Sequence, residues 1–232
     1  MAHAHRPVTS ASIIYRPGLK TALIKCGPPG CGKGTQTEYL KKELGIATLE
    51  MGPHLKAILK NDPAFGNGAL IGDDTVRYHL KLWVHRNIGA RHIVIDGCPR
   101  TADQVSLISF LKDRGYKVAT IWFDTPAEVC VQRLLANPRP GRAEDLSLET
   151  TTRRAEDYRR VTLPIRERVL EMSDAHLTID NTNLSKEMTR AMVLRFASEH
   201  MQDHESVTRH AEQHSHILAG LPHPQVVEVT AP

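Results

Sequence analysis

The chain has 232 residues, 24% of them charged and 41% hydrophobic, with a formal charge of +4 at neutral pH. That length suits one sizeable α/β domain with an appended tail, and the balance is an ordinary globular one. No stretch approaches the ~20 consecutive apolar residues of a membrane span, and the first residues lack the apolar core of a secretory signal.

In chain order, residues 1–18 form a polar, proline-punctuated lead-in. Leu19–Cys26 reads as a short strand, ended by the glycine-rich run Gly27–Gly34, and residues 33–44 as a helix. Residues 52–60 and 72–88 are two further predicted helices around a Gly/Asn-rich turn at Phe65–Gly68. His92–Ile95 is a second strand, and Thr101 is placed to cap a helix reaching about Arg114. Lys117–Phe123 is a third strand, followed by a helix over Pro126–Ala136 with proline in its first turn. Residues 146–172 carry one long, charged helical pattern, His176–Ile179 a fourth strand and Leu184–His200 a closing helix. From His200 the composition turns to His, Gln and Glu. His200, His204, His210, His214 and His216 invite a metal reading, but a solvated helix continuation and a frayed tail is the expectation.

Short apolar strands alternating with helices predict a parallel sheet covered on both faces. Right-handed crossovers then line the strand-to-helix loops along one edge, so the loops after Cys26, Ile95 and Phe123 should converge. The mild excess of base fits a site for several phosphates rather than nucleic acid, because the arginines are scattered over motif positions. Cys26, Cys31, Cys98 and Cys130 include no C-x-x-C pair. They read as reduced thiols in a cytosol-like compartment. Arg6, Arg16 and several Ser/Thr residues, with no acid before Glu38, keep an organellar transit peptide open.

Gly27-Pro-Pro-Gly-Cys-Gly-Lys-Gly-Thr35 lies between a strand and a helix. Glycines let such a loop turn its N–H groups inward as a nest for phosphate oxygens, and the helix N-terminus adds its dipole. Lys33 is then placed to reach the β- and γ-phosphates of a nucleoside triphosphate. An extra glycine, Gly34, separates Lys33 from Thr35. With that spacing the segment resembles the loop of adenylate kinases and related nucleoside monophosphate kinases. The resemblance implies ATP and Mg2+ as cofactors. It also implies Gly27, Gly30, Cys31, Gly32, Lys33, Gly34 and Thr35 as nucleotide contacts, with Thr35 beside the metal.

Asp96-Gly-Cys-Pro-Arg100 ends the second strand and is similar to the family's D-G-[F/Y]-P-R signature. An acid at that strand end can hold magnesium through water, and an arginine four residues on can clamp a phosphate with two parallel hydrogen bonds. The resemblance gives Arg100 the acceptor monophosphate and Gln104 the adenine. Gly68–Val76 is similar to the family's G-x-L-V-P-D-x-x-V, which makes Ile71 a substrate-binding position. Met51–Lys56 aligns with the family's acceptor-binding T-G-D-L-L-R, which makes Met51 and Lys56 substrate-binding positions, and departs from it. Met51 replaces threonine, Pro53 replaces aspartate, and Lys56 keeps the charge of the phosphate-binding arginine but loses its fork.

Gly141-Arg-Ala-Glu-Asp145 resembles the family's G-R-x-D-D, with Glu144 for the first aspartate, and Arg153 follows Arg142 at the family's separation of eleven residues. Arg142 and Arg153 are therefore assigned to the charge that develops during phosphoryl transfer, with Lys33 and Arg100. Arg139 is a further lid arginine, Arg133 a structural residue or a supporting charge, and Arg154, Arg159 and Arg160 a solvated face. The lid is short and has no cysteine pair for zinc.

The resulting expectation is a three-layer α/β P-loop NTPase fold over residues 19–199. It carries a helical acceptor-binding insertion near 50–88, a short lid near 136–145 and a tail over 200–232. Its activity would be nucleoside monophosphate kinase, AMP being favoured, in a cytoplasmic monomer with nucleotides as its partners and neither nucleic acid nor membrane. Alternatives left open are UMP, CMP or another small acceptor, and a nucleotide-binding regulatory protein without transfer activity.

Overall fold

The computed structural model describes residues 20–60, 70–139, 142–201, 204–218 and 226–227. The lead-in, the Phe65–Gly68 turn and Gly141 lie outside the described residues. Chain order runs β1 (Lys20–Cys26), α1 (Lys33–Leu44), β2 (Ala47–Glu50), α2 (Met51–Ile58), α3 (Asp73–Arg86) and β3 (His92–Asp96). It continues with α4 (Ser106–Lys112), β4 (Tyr116–Phe123), α5 (Ala127–Ala136), α6 (Leu148–Asp157), α7 (Arg166–Met172), β5 (Ala175–Ile179), α8 (Lys186–His200), α9 (Glu205–Gln213) and β6 (Val226–Val227).

The sheet order is β2-β3-β1-β4-β5-β6, with the first five strands parallel and β6 antiparallel on β5. Alternation along each strand feeds both faces. Ala22, Ile24 and Cys26 pack with Ile93, Ile95, Val118 and Trp122 on one side. Leu23 joins Val94, Ala119, Ile121 and Phe123 under α1 and α8 on the other. Because β1 lies between β3 and β4, the loops leaving these three strands meet at one edge, as right-handed crossovers require.

Three elements differ from the sequence expectation. β2 is only four residues long and pairs with β3, burying Leu49; nothing in so short a run outweighs its neighbours as a periodic signal. The single charged helix expected over 146–172 is instead α6, a π-turn over Tyr158–Thr162, a 3-10 turn over Leu163–Ile165 and α7. Pro164 lacks the N–H of a regular helix, which accounts for the break. The tail is docked rather than frayed as far as it is described: α9 packs on α8, and Met201 and Val207 are fully buried. Two of its histidines are bound to the backbone, His210 Nδ1 to Ser206 O at 2.7 Å and His214 Nδ1 to His210 O at 2.8 Å.

Candidate active site

The glycine-rich loop leaves β1 at Cys26 and feeds α1, whose first residue is Lys33. Its course is set by close approach. Gly30 has φ +91°, and a Cβ there would fall 2.5 Å from the carbonyl oxygen of Cys130 on α5, so only glycine lets the loop lie on that helix. Asn181, just beyond β5, braces it from behind. Its amide donates to Cys31 O at 2.8 Å, and its Oδ1 accepts from Thr125 Oγ1 at 2.7 Å and Arg133 Nη1 at 2.9 Å. Arg133 therefore supports the loop, as expected of it, while Asn181 carries no motif signal and was not anticipated. Lys33 Nζ donates to Gly27 O at 3.0 Å and Pro28 O at 2.9 Å, which folds its ammonium over the nest. Thr35 is exposed to the same cleft. All four cysteines are buried free thiols, and burial pushes those of Cys98 and Cys130 up to about 12, which leaves these two unreactive.

Asp96 ends β3 beside the loop, its Oδ2 accepting from Thr37 Oγ1 at 2.7 Å. Its Oδ1 is buried and has no hydrogen-bond partner within the protein. A buried orphan carboxylate oxygen in the cleft that Thr35 also lines fits a hydrated cation carried on nucleotide phosphates. Among the described residues no group of three or more His, Cys, Asp or Glu side chains is arranged to hold a metal by itself. An unexpected cation lies beneath: Lys25, fully buried on β1, contacts Thr37 Oγ1 and donates to Lys33 O at 3.1 Å. Burial pulls its pKa down to about 8 against the opposing influence of Asp96.

On the acceptor side, Arg100 lines the cleft and donates from Nε to Gly97 O at 2.8 Å. Gln104 stands behind it: Oε1 accepts from Arg100 N at 2.9 Å, and Nε2 donates to Asp73 Oδ1 at 2.7 Å. Its amide thus ties the Arg100 loop to the start of α3. Met51 is 3% exposed and belongs to the core, and the cleft is lined instead by its neighbours Gly52 and Pro53. That corrects the alignment-based reading of Met51: the helix begins there, and the apolar side chain turns into the core. Ile71 likewise packs against the core, and Leu70 lines the cleft. Lys56 pairs with Glu144 at 3.5 Å, a bridge from α2 to the lid.

The lid turn spans Ala143–Asp145, and its organiser is Asp145. This fully buried carboxylate binds Arg139 through Nε at 2.5 Å and Nη2 at 2.7 Å, and Arg154 Nη1 at 2.9 Å. Burial pushes the Asp145 carboxyl up, but the hydrogen bonds and charges of Arg139 and Arg154 outweigh it and leave the carboxyl below its ordinary value. Arg142 and Arg154 are both shifted down, first by burial and then by the charge of Arg139, the mark of three guanidinium groups crowded together. Arg139, Arg142 and Arg154 line the cleft, whereas Arg153 is exposed and does not. The expectation for the two neighbours is thereby exchanged. Adjacent residues of a helix point about 100° apart, so a shift of one residue in the lid turn moves the facing position from 153 to 154.

These elements enclose a cleft of about 940 Å³ lined by Lys33, Asp96, Arg100 and the lid arginines. A glycine nest at a helix start, a strand-end acid and converging arginines define a P-loop phosphotransferase. The adenylate kinase family model matches residues 25–174. Among curated relatives, the adenylate kinase of Flavobacterium johnsoniae is 34% identical over 154 residues, 62% of this chain and 81% of the relative. That of Leptospira biflexa is 33% identical over 154 residues, 62% of this chain and 82% of the relative. That of Mycobacteroides abscessus is 29% identical over 171 residues, 68% of this chain and 92% of the relative. The chain belongs to the adenylate kinase family, and it is an ATP-dependent phosphotransferase of the nucleoside monophosphate kinase type that works with Mg2+. No helix among the described residues is long and apolar enough to cross a membrane.

Proposed function

We propose that the chain transfers the γ-phosphoryl group of Mg·ATP to AMP, giving two ADP. The observation that carries the reading is the gathering of Lys33, Arg100, Arg142 and Arg154 around one cleft. Phosphoryl transfer leaves the protein little covalent work. An oxygen of the AMP phosphate attacks the γ-phosphorus in line while the bond to the β-phosphate oxygen breaks, and fixed cations stabilise the charge that spreads over the equatorial oxygens.

The loop N–H groups from Gly27 to Thr35 cradle the triphosphate, and Lys33 leaves its carbonyl partners for the β- and γ-phosphates. Thr35 and Asp96, the latter through water, would hold Mg2+, which would offset the charge of the terminal phosphates. Arg100, steadied by Gln104, holds the acceptor phosphate. Arg142 and Arg154 serve the transferring group, with Arg139 and Asp145 fixing Arg154 in place. Met51 and Ile71 support the acceptor pocket from the core, and Lys56 positions the lid through Glu144.

AMP is favoured by the names of the relatives and by the Arg100–Gln104 loop. One observation favours a second acceptor such as UMP or CMP: the Gln104 amide is already engaged by Asp73 and Arg100. ADP production with Mg·ATP and each of AMP, CMP, UMP, dTMP and GMP separates the two. Turnover confined to AMP is expected; turnover with CMP or UMP instead selects the second reading, and ATP binding without turnover on any acceptor rejects both. A monomer is part of the same proposal, and four buried free thiols support a cytoplasmic setting.

A further inference from the structure

Lys25 is among the largest fully buried side chains, on the sheet face that otherwise packs Leu23 under α1. Burying an ammonium group is costly, and an aliphatic residue of similar volume would pack there without that cost. Its contacts are therefore informative. It reaches the Thr37 hydroxyl and the Lys33 carbonyl, the latter at 3.1 Å, one turn apart at the start of α1. Thr37 Oγ1 has a single proton and two acceptors in reach, Asp96 Oδ2 at 2.7 Å and Lys33 O at 3.0 Å. Asp96 Oδ2 is the closer and the charged acceptor, so that proton goes to Asp96. The order is ammonium to hydroxyl to carboxylate.

We propose that Lys25 and Thr37 are positioning residues for the metal-bearing phosphate site, fixing the Asp96 carboxylate by Oδ2 so that Oδ1 is left for metal-bound water. A lysine in direct contact with Asp96 would occupy the carboxylate and compete with the metal. The intervening hydroxyl keeps the ammonium one hydrogen bond away, and Asp96 Oδ1 is the oxygen without a protein partner. Second-layer groups of this kind set metal affinity by orienting the ligands they touch. The inference rests on the phosphotransferase reading, since it concerns the Mg2+ of Mg·ATP.

The test is ATP binding by calorimetry, with Mg2+ and with EDTA, for the full-length chain and for Thr37→Val, Thr37→Ser and Lys25→Met. Thr37→Val removes the hydroxyl at almost constant shape and frees Lys25 to pair with Asp96. Its affinity in EDTA is expected to stay within about twofold of wild type, while the gain on adding Mg2+ shrinks about tenfold or more. Thr37→Ser restores the gain. Lys25→Met loses it without a lower melting temperature, because the costly buried charge is gone. The proposal is overturned if Thr37→Val keeps the full Mg2+ gain, or if affinity falls equally with Mg2+ and with EDTA, the pattern of a purely structural network. A wild-type chain that gains nothing from Mg2+ also overturns it. Should Lys25→Met fail to fold, the valine–serine pair decides alone. No acceptor is present, so a wrong acceptor assignment leaves this result intact.

Discussion

The phosphate loop and the arginine-bearing lid line one cleft, yet they are held in different ways. The loop lies on the sheet: Gly30 touches the backbone of α5, Asn181 locks the Cys31 carbonyl, and the strands beneath are fully buried. The lid turn has almost no apolar anchoring of its own, with Leu146 and Leu148 exposed beside it, and it is organised by Asp145 and Glu144 gripping long cationic side chains. A floor built from backbone and core is rigid at any pH at which the core is folded. A rim built from ion pairs can rearrange around a substrate and responds to charge. Lids of this kind exclude water when they close, which keeps the γ-phosphoryl group from hydrolysis.

The contrast can be broken from either side. The largest effect is expected from Lys33→Ala, which should abolish measurable transfer while the melting temperature stays near wild type. Next, Arg154→Ala should lower kcat by about a thousandfold with ATP affinity little changed, whereas Arg153→Ala should stay within about threefold. Equal losses in the two variants would remove the reassignment between them. On the floor, Gly30→Ala should cost about 2–4 kcal/mol in urea denaturation, from the left-handed backbone and the clash with α5.

The smallest effect belongs to Asp145. Its carboxyl is held below the ordinary value in the folded chain, so its stabilising contribution is complete above that ordinary value and is lost as pH falls through the depressed one. The stability gap between wild type and Asp145→Asn should therefore hold from about pH 7 to pH 5 and narrow below about pH 4. A gap that does not narrow would show that Asp145 acts by shape rather than charge.

The glycine-rich loop and the Asp96–Arg100 signature were legible because each occupies a few consecutive residues whose backbone conformation is local. The same holds for α1, which runs over the residues expected of it, and for β3 and β4, whose apolar runs are bounded by Asp-Gly and Asp-Thr-Pro. Gln104 had the right neighbourhood, but sequence spacing cannot say that its amide is spent on Asp73 and Arg100. Met51 was expected at the acceptor, but alignment fixes a position along a chain and not the side of a helix it faces, and its side chain is buried in the core.

By itself the sequence determined the class of fold, the phosphate loop and the charges that a transferring phosphoryl group requires. Those features are encoded by short-range rules: glycine at turns, alternation in strands and a lysine at a fixed distance from a nest. Tertiary structure alone decided which of Arg153 and Arg154 enters the cleft, what braces Cys31, where the tail docks and why a lysine lies under the loop. Each of these depends on residues far apart in sequence meeting at one point, as Lys25, Thr37 and Asp96 do, and on helix rotation, where a one-residue shift turns a side chain by about 100°.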